Sequence, residues 1–200
     1  MGVPPVGEWR GGPPAPRSTA HLRNGIMVCC IDTTAATIQK TTRPETMNTP
    51  FRIVLFAPEI PQNTGTIGRL CVCCGAELHL IEPLGFEVTE TRLRRAGLDY
   101  WRHLTWHVHP SWSAFVDDQA PERLFFATAH ARRTIYQTAF RTGDWLVFGN
   151  ETGGLPQTIH EQYAENMRTI PMPGEHARTH NLANAVAIVL HEALRQSEGW

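Results

Sequence analysis

Arg52-Ile53-Val54-Leu55-Phe56-Ala57 reads as a strand and opens into Pro58-Glu59-Ile60-Pro61-Gln62-Asn63-Thr64-Gly65. It then gives way to a helical pattern through Thr66-Ile67-Gly68-Arg69-Leu70. A buried strand that delivers Asn63, Thr64, Gly65 and an in-reach Arg69 to the mouth of a helix is a common way for an α/β protein to present a polar site. Pro58 and Pro61 stiffen the turn around Ile60, because each fixes its own φ and restricts the residue before it. Asn63 and Arg69 are within two helical turns and could approach one ligand. The plainer alternative is a helix N-cap at Asn63 or Thr64 with a solvated arginine.

Outward from this stretch, short apolar runs alternate with helical patterns. Strands are expected over 52–57, 77–81, 104–108, 123–128, 145–148 and 167–170, and helices over 64–74, 90–96, 111–118, 155–163 and 181–196. Near-continuous apolar strands separated by helices predict an α/β fold, a mostly parallel sheet with helices on both faces. The last helix is the clearest: Leu182, Ala185, Val186, Val189, Leu190, Ala193 and Leu194 form one apolar stripe.

Two hundred residues fit one domain of ordinary size plus an appendage. A formal net charge of −1 excludes binding to a polyanion by bulk charge, so contact with nucleic acid would have to come from local patches. Of the five cysteines, Cys71, Cys73 and Cys74 share a predicted helix and Cys29 and Cys30 are adjacent, which leaves no second pair at metal-ligand spacing. They are expected to be reduced and structural, with no metal. No apolar run is long enough to span a membrane, and no signal-peptide core precedes a cleavage site, so a cytoplasmic protein is expected. Residues 1–50 are dense in proline, glycine and threonine, and too poor in apolar area to offset their ordering entropy. They are expected to be a disordered extension ahead of a domain over 51–200. Met47, just before the first strand, is an alternative translation start.

Two later segments repeat the design of the first. Gly149-Asn150-Glu151-Thr152-Gly153-Gly154-Leu155-Pro156 follows the apolar strand 145–148, where glycines let a ligand approach the backbone closely. It lacks the Gly-Lys-Ser/Thr of a P-loop and the glycine spacing of a dinucleotide fingerprint. An ordinary tight turn is the alternative. Ile170-Pro171-Met172-Pro173-Gly174 leads through Arg178, Thr179, His180 and Asn181 into the last helix. Thr179 and Asn181 stand where caps belong, yet the stretch holds more polar groups than one cap uses.

Asn63-Thr64-Gly65 with Arg69, Gly149-Asn150-Glu151-Thr152 with Gly154-Leu155, and Ile170-Pro171-Met172 followed by Asn181-Leu182 and Asn184-Ala185-Val186 resemble the three motifs of the SPOUT (SpoU-type) RNA 2′-O-ribose methyltransferases. Ile81-Glu82-Pro83-Leu84-Gly85-Phe86 and Arg92-Leu93-Arg94-Arg95-Ala96-Gly97-Leu98-Asp99-Tyr100 resemble, more narrowly, the members that modify the wobble cytidine or uridine of tRNA. The similarity runs from residue 52 to about residue 196, and three motifs in order are far more specific than any one.

The resemblance implies an α/β domain with a C-terminal trefoil knot, S-adenosylmethionine as methyl donor, and a homodimer joined through the knot region with tRNA, at its anticodon stem-loop, across both copies. It implies a cofactor site at Ala127, Gly149, Ile170, Thr179 and Leu182, and assigns Arg69 to the ribose hydroxyl, with Asn63, Glu151 and Asn181 positioning Arg69 and the ribose. A guanidinium stays protonated, so holding phosphate and stabilising the alkoxide suits Arg69 better than acting as a base. Arg92, Arg94, Arg95, Arg132 and Arg133 are expected to meet RNA phosphates, and Tyr100, Trp101 and Trp106 to be candidates for stacking on unpaired bases. Thr179 and Ala183 depart from the family's usual serines, and His176-Ala177 from its usual loop. Two other readings stay open: the same chemistry on another tRNA position or on ribosomal RNA, and a non-catalytic RNA-binding module of the same fold. The joint presence of Asn63, Arg69, Glu151 and Asn181 speaks against the second.

Overall fold

A computed structural model describes residues 51–87, 99–176 and 179–199. The expected extension over 1–50, the candidate helix 90–96 and Arg92, Arg94 and Arg95 lie outside the described residues, as do Ala177 and Arg178.

Six strands form one sheet: β1 (Arg52–Phe56), β2 (Glu77–Ile81), β3 (Trp106–His109), β4 (Leu124–Ala127), β5 (Trp145–Phe148) and β6 (Met167–Arg168). Their order is β3-β2-β1-β5-β4-β6, and every pair is parallel. The described helices are α1 (Pro61–Cys74), α2 (Trp112–Gln119), α3 (Gln157–Gln162) and α4 (Leu182–Glu198). The order changes direction between β1 and β5, so the loops leaving these two strands part to opposite sides. In open α/β sheets, that is where a crevice forms at the carboxyl ends of the strands.

Successive side chains of a strand alternate between the two faces, and the core divides accordingly. Ile53, Leu55, Leu78, Leu80, Leu146 and Phe148 pack under α1 and α4. Val54, Ile81, Phe126, Trp145 and Val147 pack with Phe115 of α2 and Ile159 of α3. The stripe on α4 is buried as its spacing predicts, through Val186, Val189, Leu190, Ala193 and Leu194. A fully buried Val or Leu contributes about 1.5–3 kcal/mol relative to exposure. Asp144 anchors the start of β5: it is 1% exposed and accepts from Arg123 Nε at 2.5 Å and from the Arg141 amide at 2.8 Å.

The elements differ from expectation mainly at their ends. Helix α1 begins at Pro61, three residues early, because proline at the first helical position lacks only a hydrogen that would have found no partner there. Asn63 and Thr64 are therefore inside the first turn, their amides donating to the Ile60 carbonyl, and neither is the cap. Strand β1 stops at Phe56, since Ala57 takes φ 48° to enter the turn. Strand β3 starts at Trp106, and Leu104 instead enters the core after the 3-10 turn Asp99–His103. Strand β6 keeps only two residues: Thr169 bridges to Thr134 outside the sheet, and Pro171, without an N–H, closes the run. No helix among the described residues is long and apolar enough to cross a membrane.

Candidate active site

A cavity of about 500 Å³ opens at the carboxyl ends of β4, β5 and β6, walled by the start of α4 and by Ile60 and Asn63. Three of the expected polar residues meet at its edge. Asn181 caps α4, its Oδ1 accepting from the amides of Ala183 at 2.9 Å and Asn184 at 3.4 Å. Its Nδ2 donates to Asn63 Oδ1 at 3.0 Å, and Asn63 Nδ2 donates to Glu151 Oε1 at 2.8 Å. A carboxylate can only accept, so Asn63 must turn its nitrogen toward Glu151 and its oxygen toward Asn181. The cap fixes Asn181 in the matching sense. One chain of hydrogen bonds thus ties the first turn of α1 and the loop after β5 to the amino end of α4, and capping and site-building prove to be the same act for Asn181.

Glu151 gains two more donors, the amides of Glu59 at 2.9 Å and Ile60 at 3.3 Å. Burial alone would push its carboxyl upward, but the bonds from Asn63, Glu59 and Ile60 outweigh that and hold it below the ordinary carboxylate range. Glu59 answers from the other side: it accepts from Thr152 Oγ1 at 2.5 Å and from Asn150 Nδ2 at 3.2 Å. The sequence reading missed Glu59. Its place in a Pro-flanked turn just beyond a buried strand was the available signal. Gly85 helps hold that turn, donating to the Pro58 carbonyl at 3.0 Å and leaving no room for a Cβ against the Glu59 backbone.

All five expected cofactor positions, Ala127, Gly149, Ile170, Thr179 and Leu182, line the cavity. At Gly149 a Cβ would collide with the Gly154 carbonyl carbon and the Leu155 nitrogen, so the strand end and the returning loop touch through backbone alone. Gly154 completes that return at φ 68°, pairing with Asn150 through both backbone bonds. Main-chain groups are thereby left facing the cavity beside the small and apolar side chains of Ala127, Ile170 and Leu182. A cavity of this size with such a lining fits S-adenosylmethionine, whose adenine needs an apolar slot and whose polar edge needs backbone partners.

Arg69 is not brought to this cavity. Six residues after Asn63, it stands about 240° further round α1, on the exposed face. Its guanidinium lies 4.8 Å from the centre of the Tyr100 ring, and the Tyr100 hydroxyl donates to the Gly65 carbonyl at 2.6 Å. Tyr100, rather than Asn63, Glu151 or Asn181, holds Arg69, which corrects the expectation that those three position it. Trp101 is also corrected as a base-stacking candidate: it is 7% exposed and packs edge-on against the half-buried Trp106. Arg132 and Arg133 are exposed in a second depression that shares Thr128, His130 and His160 with the cavity.

The sequence model of the SpoU rRNA Methylase family matches residues 50–191. A tRNA (cytidine(34)-2′-O)-methyltransferase of Burkholderia cenocepacia is 47% identical over 150 residues, spanning 74% of this chain and 96% of its own. A structure described as giving insights into the 2-OH methylation of C/U34 on tRNA is 41% identical, with a TM-score of 0.70, and the alignment covers 76% of this chain and 99% of the other. The SpoU methyltransferase AviRb of Streptomyces viridochromogenes, solved with the cofactor AdoMet, is 25% identical with a TM-score of 0.63, over 72% of this chain and 57% of that one.

Proposed function

The chain belongs to the SpoU methylase family, and from that premise we propose that it methylates the 2′-oxygen of the wobble cytidine or uridine in the tRNA anticodon loop, with S-adenosylmethionine as donor. The observation that carries the reading is the Asn181–Asn63–Glu151 chain, which fastens three distant loops around one glycine-floored cavity. The joined loops are the ones that carry the three family motifs.

The bound donor supplies an activated methyl group on a sulfonium. Gly149 and the loop it touches give main-chain contact, while Ala127, Ile170 and Leu182 give the apolar slot and Thr179 a hydroxyl at the rim. Alignment of donor and acceptor provides much of such a rate enhancement, and it requires loops that do not move apart. Asn63, Glu151 and Asn181 meet that need by holding one another, and Glu151 faces the substrate as a fixed negative edge. Arg69, a guanidinium seated on Tyr100 and outside the cavity of its own chain, offers charge for an RNA phosphate and for the alkoxide at the cavity of the partner copy in the proposed homodimer. Because it leaves α1 on the exposed face, it serves a substrate lying across that helix.

Arg132 and Arg133, beside the cavity mouth, are proposed to hold RNA phosphates, and the same role is kept for Arg92, Arg94 and Arg95. With a formal net charge of only −1, such local groups must supply the attraction. We further propose residues 51–200 as the catalytic domain, a trefoil knot in its carboxyl-terminal part, a homodimer joined through that region, and a cytoplasmic protein, since that is where the tRNA is. The reaction as read draws on no metal ion and no membrane.

The test is to map ribose methylation across total tRNA from cells with and without the gene, and to repeat the transfer with purified protein. Loss at position 34 in the first and gain there in the second are expected. Methylation gained at another tRNA position, or only on ribosomal RNA, overturns the wobble assignment. Donor binding without any transfer would mark a non-catalytic module.

A further inference from the structure

Away from the cavity, toward the amino ends of β2 and β3, one sheet face carries charge and imidazole where apolar residues would be expected. Glu77 and His79 are two apart on β2 and share a face, and the parallel register sets His79 against His107 of β3. One ligand-type atom from each of the three lies within 4.8 Å of the others. We propose that Glu77, His79 and His107 bind a divalent transition metal of the zinc class, at a site separate from the methyl-transfer cavity.

Two imidazoles and one carboxylate form a donor set used for zinc and for non-haem iron, with a remaining position open to water. The second observation is the state of His79. The residue is fully buried, and its Nε2 has no hydrogen-bond partner. Its other nitrogen, Nδ1, lies 3.0 Å from His109 Nε2. If His79 donates through Nδ1, its Nε2 presents a bare lone pair toward the Glu77 carboxylate, 3.6 Å away. If His109 donates instead, His79 holds an N–H at Nε2 that is too far from Glu77 for a hydrogen bond. Neither tautomer satisfies the buried nitrogen, whereas a cation between Nε2 and the carboxylate satisfies the first.

That first tautomer is also the arrangement metal-binding histidines usually adopt, with the far ring nitrogen donating to a fixed partner that orients the ring. His109, 5% exposed, is that partner here. Arg52 competes for Glu77, its Nε lying 3.3 Å from Oε2, but it also donates to the Gly143 carbonyl and stacks over Trp145. The oxygen that accepts from Arg52, Oε2, is also the one 3.6 Å from His79 Nε2, so the ion shares it through its second lone pair. His107 is exposed, which gives the ion a route in and the third ligand freedom to close on it.

The test uses the full chain, stripped with a chelator and titrated with Zn²⁺ by calorimetry and with Co²⁺ by visible absorption. Binding of one equivalent is expected, with cobalt bands of nitrogen and oxygen ligation. In His107→Ala and in Glu77→Gln, affinity should fall by at least about tenfold. Metal-free melting and methyl transfer of His107→Ala should match the parent, because that ring is exposed and does not line the cavity. Failure of the parent chain to bind, equal binding by His107→Ala, or a thiolate-to-cobalt charge-transfer band assigning the ion to cysteines would each overturn the site.

Discussion

The Glu59 amide donates to Oε2 of Glu151 at 2.9 Å, while the Glu59 carboxylate accepts from Asn150 and Thr152, the residues on either side of Glu151. The loops after β1 and β5 thus each grip the other's acidic residue. Both carboxylates are occupied by donors. This crossed brace, rather than any single side chain, joins the two loops at the edge of the cavity.

Glu151→Gln tests the brace. Oε1 faces Asn63 Nδ2 and the Ile60 amide, and Oε2 faces the Glu59 amide, so whichever way a glutamine turns, its NH₂ meets a donor. A hydrogen bond to a charged group is worth roughly 1.5–3 kcal/mol. Methyl transfer should fall at least about tenfold, with the fold retained by circular dichroism. Full activity in this variant would show that the brace is dispensable.

Arg69→Ala should lower methyl transfer by a factor on the order of 100–1,000, the scale found when a group that stabilises developing oxyanion charge is removed. Calorimetry should give unchanged S-adenosylmethionine binding, because Arg69 lies outside the cavity. Arg69→Lys should not restore the rate, since a lysine ammonium neither stacks flat on Tyr100 nor offers a fork of donors. Loss of donor binding along with activity would instead place Arg69 in the cofactor site.

Much of this was legible in the sequence because periodicity and punctuation act locally. The apolar strands, the stripe on α4 and the glycine loop after β5 each announce themselves within a few residues, and all five expected cofactor positions reached the cavity. What stayed hidden depended on neighbours across the sheet. Glu59 matters only because β1 and β5 are adjacent, and His79 meets His107 only through the β2–β3 register. The direction of Arg69 was misjudged for a different reason. Sequence distance placed it near Asn63, but with α1 already helical at Asn63 the six-residue step turns Arg69 about 240° to another face.

Gly149→Ala should be poorly tolerated. The added methyl would press on the Gly154 carbonyl carbon and the Leu155 nitrogen, and these are backbone atoms that cannot swing aside as a side-chain tip would. Overpacking of this kind costs about 1–3 kcal/mol or more. The expected result is a lower melting temperature together with weakened S-adenosylmethionine binding, because the displaced loop forms the cavity floor. By contrast, Gly174 has open space around its Cβ position, so Gly174→Ala should melt like the parent. Equal melting of the two variants would contradict the close backbone contact.

Acid should release the brace. The Glu151 carboxyl is held below its ordinary value of 4.5, with burial opposed and outweighed by the bonds from Asn63, Glu59 and Ile60. A carboxyl whose folded pKa is depressed adds stability that is fully present above the unfolded pKa and is lost as pH falls through the folded one. Glutamine does not titrate, so the melting-temperature advantage of the parent over Glu151→Gln should be constant well above pH 4.5. It should then narrow as pH drops below that value, when the unfolded chain takes up its proton first. Melting both proteins across that range measures the gap directly. A gap that stays the same down to the acid limit of folding would mean that the Glu151 charge contributes nothing to holding the two loops together.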